Sequence, residues 1–310
     1  MRRLMLIVTW LALSTAGIVV SVNRVQADRT VAPSRIESAR GLALGTGVRA
    51  SAASTQAQAD NPANLVLGGV YHLESFTAYD PTFKRVGVGA SVVDSMTSRI
   101  AAGASVRGLF GNNDAGGNKG YDGRLSLAAP LGEMFSIGLS GRYSNFRIGD
   151  THAKPERVPP PDVEPDRNFR LKHFTMDAAA TLRPLSVLVI SALAYNIVDT
   201  HSPLAPMMLG GSAAFSSGGL TVGGDVLVDL DKQKLFGGPK LLVGGGLEFL
   251  AGGTAPLRIG YAYDQGRQQS FVTGGLGFVD PRFGAQFGLR QSVGRNRETS
   301  LFLGVQYFVQ

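Results

Sequence analysis

The sequence predicts an all-β chain: a transmembrane antiparallel up-and-down β-barrel of about 14 strands with a short N-terminal luminal plug. Three observations carry the prediction. Apolar and polar residues alternate with a period of two through most of the chain. The connections between the alternating segments take turns at being short and long. An export signal opens the chain, and no later apolar run approaches the roughly 20 residues of a spanning helix.

The first element is residues 1–27. Met1-Arg2-Arg3 is positively charged, "LMLIVTWLALSTAGIVV" (4–20) holds no charge, and "VQA" (25–27) puts small residues at the −3 and −1 positions of a cleavage site. This reads as a secretory signal peptide. Its removal takes Arg2, Arg3 and Arg24 and no acid, lowering the formal charge from +7 to +4, and also takes the single tryptophan, Trp10. The absence of cysteine excludes disulfides and lipid attachment through a thiol. The arginines are scattered, so no nucleic-acid surface is expected.

Residues 28–62 form the expected plug and 63–310 the barrel. "ASAASTQAQA" (50–59) is small enough to pack as a helix inside a barrel, and Pro62 keeps Asn61 out of helical geometry. Strands are then expected near 64–75, 83–93, 98–110, 121–129, 134–148, 169–182, 186–197, 207–216, 219–230, 238–250, 255–265, 269–279, 282–292 and 298–309. In "LRIGYAYD" (257–264), Leu257, Ile259, Tyr261 and Tyr263 share one face while Arg258, Gly260, Ala262 and Asp264 share the other. Strand five shows an apparent slip from Tyr143 to Phe146 and Ile148, which predicts a bulge near Ser144–Asn145. A polar face of Gly, Ser, Ala and Arg suits a barrel interior better than a water-exposed surface.

Connections after even-numbered strands are short, such as "PLGE" (130–133) and "SSGG" (216–219). Those after odd-numbered strands include "GNNDAGGNKG" (111–120) and "GDTHAKPERVPPPDVEPDRN" (149–168). Short periplasmic turns opposite long outer loops are the asymmetry of bacterial outer-membrane barrels, which sets the localisation.

The segment before strand one carries a resemblance. An alanine-rich stretch runs into Asn61, Pro62, Ala63, Asn64 and Leu65, similar to the N-terminal segment of the FadL-type outer-membrane transporter superfamily. Near the other end, Leu247-Glu248-Phe249 followed by Arg258-Ile259-Gly260-Tyr261 resembles closing strands of its PorV-like branch. The plug is shorter than in most such transporters, and the chain ends in Gln310 where many barrels end in Phe. The resemblance implies a fourteen-stranded barrel whose N-terminal segment fills the lumen, and, at the strand-five bulge, a sideways exit for cargo. It implies passive diffusion of hydrophobic, fatty-acid-like molecules, or, in the PorV-like branch, an accessory or structural barrel in secretion. The implied partners are membrane lipid, a hydrophobic cargo and, for the alternative, secretion-machinery proteins.

Parity assigns Arg99, Arg107, Asp122, Arg124, Arg142, Asp177, Arg183, Asp225, Asp229, Glu248, Arg258, Asp264, Arg282 and Arg290 to the lumen. An arginine facing mid-bilayer lipid would cost about 2–4 kcal/mol. Charges of both signs on neighbouring strands predict ion-pair networks, with Glu248 and Arg258 the foremost pair. In "SVLVISALAY" (186–195) both parities are apolar, so part of the lumen is expected to be greasy. His72, His152, His173 and His201 lack metal or Ser–His spacing, and no glycine cluster joins a strand to a helix. No enzyme, metal or cofactor is expected.

Overall fold

Strands in this chain have no polar partner in a lipid environment except each other, so the sheet must close. The computed structural model describes residues 38–82, 84–111, 119–149, 168–200, 205–230, 240–294 and 298–309. The expected signal peptide (1–27), the start of the plug (28–37), most of the loop 149–168 and Gln310 lie outside the described residues.

Fourteen strands form one closed antiparallel barrel in which each pairs with its chain neighbours and β1 pairs with β14. They are β1 (Tyr71–Asp80), β2 (Arg85–Asp94), β3 (Ala101–Gly111), β4 (Lys119–Pro130), β5 (Phe135–Gly149), β6 (Asn168–Leu185) and β7 (Leu188–Tyr195). The barrel continues with β8 (Met208–Ser217), β9 (Leu220–Asp229), β10 (Lys240–Ala251), β11 (Ala255–Asp264), β12 (Gln269–Val279), β13 (Phe283–Val293) and β14 (Thr299–Val309). The β8–β9 turn is Gly218-Gly219, both with positive φ (58° and 83°), the conformation that matches the twist of a two-residue hairpin.

Two expectations are corrected. Strand one begins at Tyr71, not near residue 64, because residues 62–67 fold as a 3-10 turn inside the barrel. Asn61 is extended before Pro62 (φ −162°, ψ 87°), but Pro62 then starts that turn. The slip in strand five is also absent. β5 pairs without interruption with β4 (Lys119↔Arg147 to Pro130↔Ser136) and with β6 (Phe135↔Leu182 to Gly149↔Asn168). Phe146 keeps the luminal parity and is buried beneath the Arg107 guanidinium, 6.0 Å from its ring centre. A large apolar residue facing inward mimicked a change of phase, so no bulge and no exit exist there. The register shift in the wall lies instead between Leu182 and Leu185, where β6 turns into β7.

Burial is inverted relative to a soluble protein. Leu125 is 70% exposed and Ile259 60%, whereas inward Ser140 is 0% and Asp177 1% exposed. A continuous apolar outer surface of this kind belongs against lipid.

The lumen is filled by residues 38–67. A short helix α1 (Ala39–Ala43), a 3-10 turn (Arg49–Ser51), helix α2 (Ser54–Asp60) and the 3-10 turn Pro62–Leu67 follow one another. α1 packs on β11 to β14, the middle of the segment on β7 to β9, and the last turn on β3 to β6. Close approach is possible because the inward wall positions are glycines. A Cβ at Gly138 would stand 2.3 Å from Ala63 N, and one at Gly288 would stand 2.4 Å from Ala39 O. The segment therefore lies backbone-to-backbone against the wall.

Candidate functional site: the luminal segment and the cleft above it

Three buried polar clusters tie the segment to the wall. The first centres on Asp225 of β9, which accepts from Thr46 Oγ1 at 2.8 Å, Arg49 N at 2.8 Å, Arg49 Nη1 at 3.1 Å and Ser212 Oγ. Ser212 Oγ in turn accepts from Ala50 N at 2.7 Å. Burial works against the Arg49 charge, but Tyr195, Asp225 and Asp60 outweigh it and hold the guanidinium above its ordinary range.

The second cluster centres on Glu248. It accepts from Arg258 Nε at 2.5 Å and from Arg40 Nε and Nη2, both at 3.0 Å. Glu248 and Arg258 face each other across β10 and β11. Arg40, from α1, adds a third member that strand parity does not reveal, and its Nη1 also donates to Gln56 Oε1 at 3.0 Å.

The third cluster contains the Asn61-to-Leu65 motif. Asn61 Nδ2 donates to Ser191 Oγ at 2.9 Å and to Thr181 Oγ1 at 3.2 Å. Asn64 Nδ2 donates to the carbonyls of Ala50 and Ala52, both at 2.9 Å, and accepts from Thr181 Oγ1 at 2.7 Å. Ala63 sits over Gly138, and Leu65 packs with Val93, Ala101 and Ala128. The two asparagines satisfy carbonyls of the 3-10 turn that precedes α2, Asn61 that of Arg49 at 3.1 Å and Asn64 those of Ala50 and Ala52.

The remaining inward charges fall into two groups. Arg107 pairs with Asp122, and Arg124 Nη2 lies 3.7 Å from Asp177. Arg124 stands directly opposite Arg142, whose Nη2 donates to Asn196 Oδ1, and Asp177 accepts from Asn196 N at 2.9 Å. Asp229, Asp264 and Arg290 lie towards the long-loop end of the lumen. Arg99, Arg183 and Arg282, expected inside, are exposed at the short-turn end. Arg99 and Arg282 belong to turns rather than strands, and Arg183 Nη2 donates to Glu133 O at 3.2 Å. Parity applies only within a strand, and these three sit where the strands stop.

Sequence reading also missed Arg40, Thr46, Arg49, Asp60, Thr181, Ser191 and Ser212. The segment has no periodicity to mark an inward face, and the wall hydroxyls look like ordinary strand residues.

Above the segment, at the end where the long loops leave the barrel, lies a small open cleft. Its lining is mixed: apolar Leu42, Leu242, Ala262 and Phe271 together with charged Arg49, Asp60, Asp264, Arg267 and Arg290. Arg267 and Arg290 stand over the Phe271 ring at 5.6 and 4.9 Å. Leu242 also joins an apolar patch of Ala63, Ala179, Leu193 and Leu227, flanked by Tyr195 and Met208. The greasy stretch of β7 thus contributes Leu193 and Tyr195 to the lumen.

No protein-family model matches the chain, and no curated protein matches it in sequence. Solved structures match it in fold. The toluene transporter TbuX of Ralstonia pickettii superposes with a TM-score of 0.62 and 13% identity, over 90% of this chain and 100% of its own. The toluene transporter TodX of P. putida superposes with a TM-score of 0.55 and 11% identity, over 87% and 97%. A FadL homologue of Pseudomonas aeruginosa does so with a TM-score of 0.53 and 9% identity, over 87% and 98%. This chain shares the fold of these solved structures, a closed barrel that here holds its own N-terminal segment in the lumen.

Proposed function

We propose that this chain is an outer-membrane channel through which hydrophobic small molecules diffuse passively into the cell. One observation carries the reading: a cleft at the long-loop end, lined in part by Leu42, Leu242, Ala262 and Phe271, shares Leu242 with an apolar cluster beside the luminal segment. A polar-solute pore would line that path with charge throughout. Residues 38–67 act as the plug that bars free passage, and Asp225, Glu248, Thr181 and Ser191 are its anchors on the wall. The solved barrels of like fold include two described as toluene transporters and one as a monoaromatic hydrocarbon channel, which supports a hydrophobic cargo.

Purified chain reconstituted into vesicles tests the proposal. Entry of toluene or of a fluorescent fatty acid faster than into empty vesicles, without small-ion conductance, is the expected result, and the two cargoes separate the aromatic from the fatty-acid reading. Conductance of small ions without hydrophobic uptake would make it a polar pore. Absence of both fluxes would overturn transport and leave the secretion-accessory barrel.

A further inference from the structure

The short turns at the end opposite the long loops are not alike. Three consecutive ones carry large apolar side chains, each more than half exposed. They are Met96 and Ile100 between β2 and β3, Leu131 and Met134 between β4 and β5, and Leu185 where β6 turns into β7. The next three turns, Gly218-Gly219, Gly252-Gly253-Thr254 and Asp280-Pro281-Arg282, hold no large apolar residue. The aromatic border of the wall differs in the same way. Phe215, Phe249, Phe278, Phe283 and Tyr307 are exposed near the short-turn ends of β8, β10, β12, β13 and β14. Such side chains mark the border between hydrocarbon and headgroups, so on that half the border crosses the strand ends. Around β2 to β7, Phe135 is the one exposed aromatic at this end among the described residues, and Leu131 and Met134 adjoin it in the turn.

The three apolar turns also bind their own backbone polar groups, which contact with lipid requires. Asp94 accepts from Met96 N at 3.0 Å and Thr97 N at 3.1 Å, and Ser98 Oγ accepts from Ile100 N at 3.0 Å. Leu131 N donates to Phe135 O and Arg183 N to Met134 O, both at 2.7 Å, which joins the second turn to the end of β6. Arg99 and Arg183 are exposed among the apolar residues, and such side chains lay their stems along apolar surface while the charge reaches a polar layer. Glu133 is the single exposed acid of the three turns.

We infer that these three turns are sunk in the periplasmic leaflet of the outer membrane, where Met96, Ile100, Leu131, Met134 and Leu185 bind phospholipid acyl chains. The occupant is lipid because the patch is continuous with the lipid-facing wall: Leu127, Ile137 and Leu182, all exposed, lead from the strands into the turns. The turns of β8 to β13, with their glycines and Asp280-Pro281-Arg282, stand in periplasmic water. The inference rests on the outer-membrane reading and is independent of any cargo.

The chain has no cysteine, so a single introduced one takes a fluorescent bimane label at a chosen place. The test uses the full chain in phospholipid bilayers, with one set of variants Met96→Cys, Leu131→Cys and Leu185→Cys and a second set Ser217→Cys, Thr254→Cys and Pro281→Cys. Doxyl groups on the acyl chains should quench the first set several-fold more strongly than the second, and aqueous iodide should do the reverse. A label at Ile100→Cys should become several-fold more open to iodide when Met96→Ser, Leu131→Ser and Leu185→Ser are added. Heat-modifiable migration reports whether each variant is folded; should the combined variant fail it, the two single-cysteine sets decide. Equal quenching of the two sets, or an Ile100 label unmoved by the three serines, would overturn the proposal. Stronger iodide than doxyl quenching of the first set would also overturn it and leave the patch to a periplasmic protein. Loss of vesicle uptake with the quenching pattern intact would count against the transport reading alone.

Discussion

Replacing Asp225 with alanine should loosen the luminal segment while leaving the barrel closed. Asp225 is 1% exposed and accepts four hydrogen bonds, two of them from Arg49. Removing one partner of a buried ion pair costs about 3–5 kcal/mol because the other charge is left uncompensated. Arg49 retains 14% side-chain exposure and its contact with Tyr195, so we take the lower end, about 3 kcal/mol. At about 1.4 kcal/mol per decade, the open state of the segment becomes about a hundred-fold more populated. The barrel should persist, because its wall hydrogen bonds do not pass through Asp225. Hydrogen–deuterium exchange followed by mass spectrometry reads this directly, since the Arg49 and Ala50 amides are held by Asp225 and Ser212. Peptides spanning 44–53 should exchange about a hundred-fold faster, while peptides from β14 should be unchanged. Acceleration below about three-fold, or equal acceleration in β14, would refute the view that Asp225 anchors the segment.

Further outcomes follow from the same geometry. Gly138→Ala should destabilise the folded barrel by about 1–3 kcal/mol because its Cβ meets the Pro62–Ala63 backbone, whereas Gly123→Ala, with only Ser105 O at 3.9 Å, should be silent in a heat-modifiability assay. Glu248→Gln should cost about 3 kcal/mol by stranding Arg40 and Arg258. Adding Arg258→Met should recover part of that loss, and a double-mutant cycle in urea unfolding measures the coupling. An epitope tag between Pro160 and Pro161 should be detected by antibody on intact cells; detection only after permeabilisation would mean that odd-numbered strands do not end outside.

What local sequence determined is the wall. Side chains alternate across a strand whatever surrounds it, so Leu257 to Tyr263 and their polar neighbours declare both the strand and its two faces without reference to any contact. The alternation of short and long connections then gives neighbouring strands antiparallel pairing and the barrel two unlike ends. Phe146 shows the limit of that reasoning: hydrophobicity indicates burial from water, but it does not distinguish lipid outside from a packed lumen inside.

The tertiary structure alone decided everything that depends on where residues 38–67 lie. Arg40 and Glu248 are 208 positions apart, and Asn61 and Ser191 are 130 apart. No local pattern encodes such pairs, because they arise only when fourteen registers close and set the shape of the interior. The same closure explains the wall glycines. In sequence, Gly138 and Gly288 are two of 41; in space, they are where a luminal backbone touches the wall. Arg99, Arg183 and Arg282 complete the contrast, since parity orients a side chain along a strand and says nothing about where the strand ends.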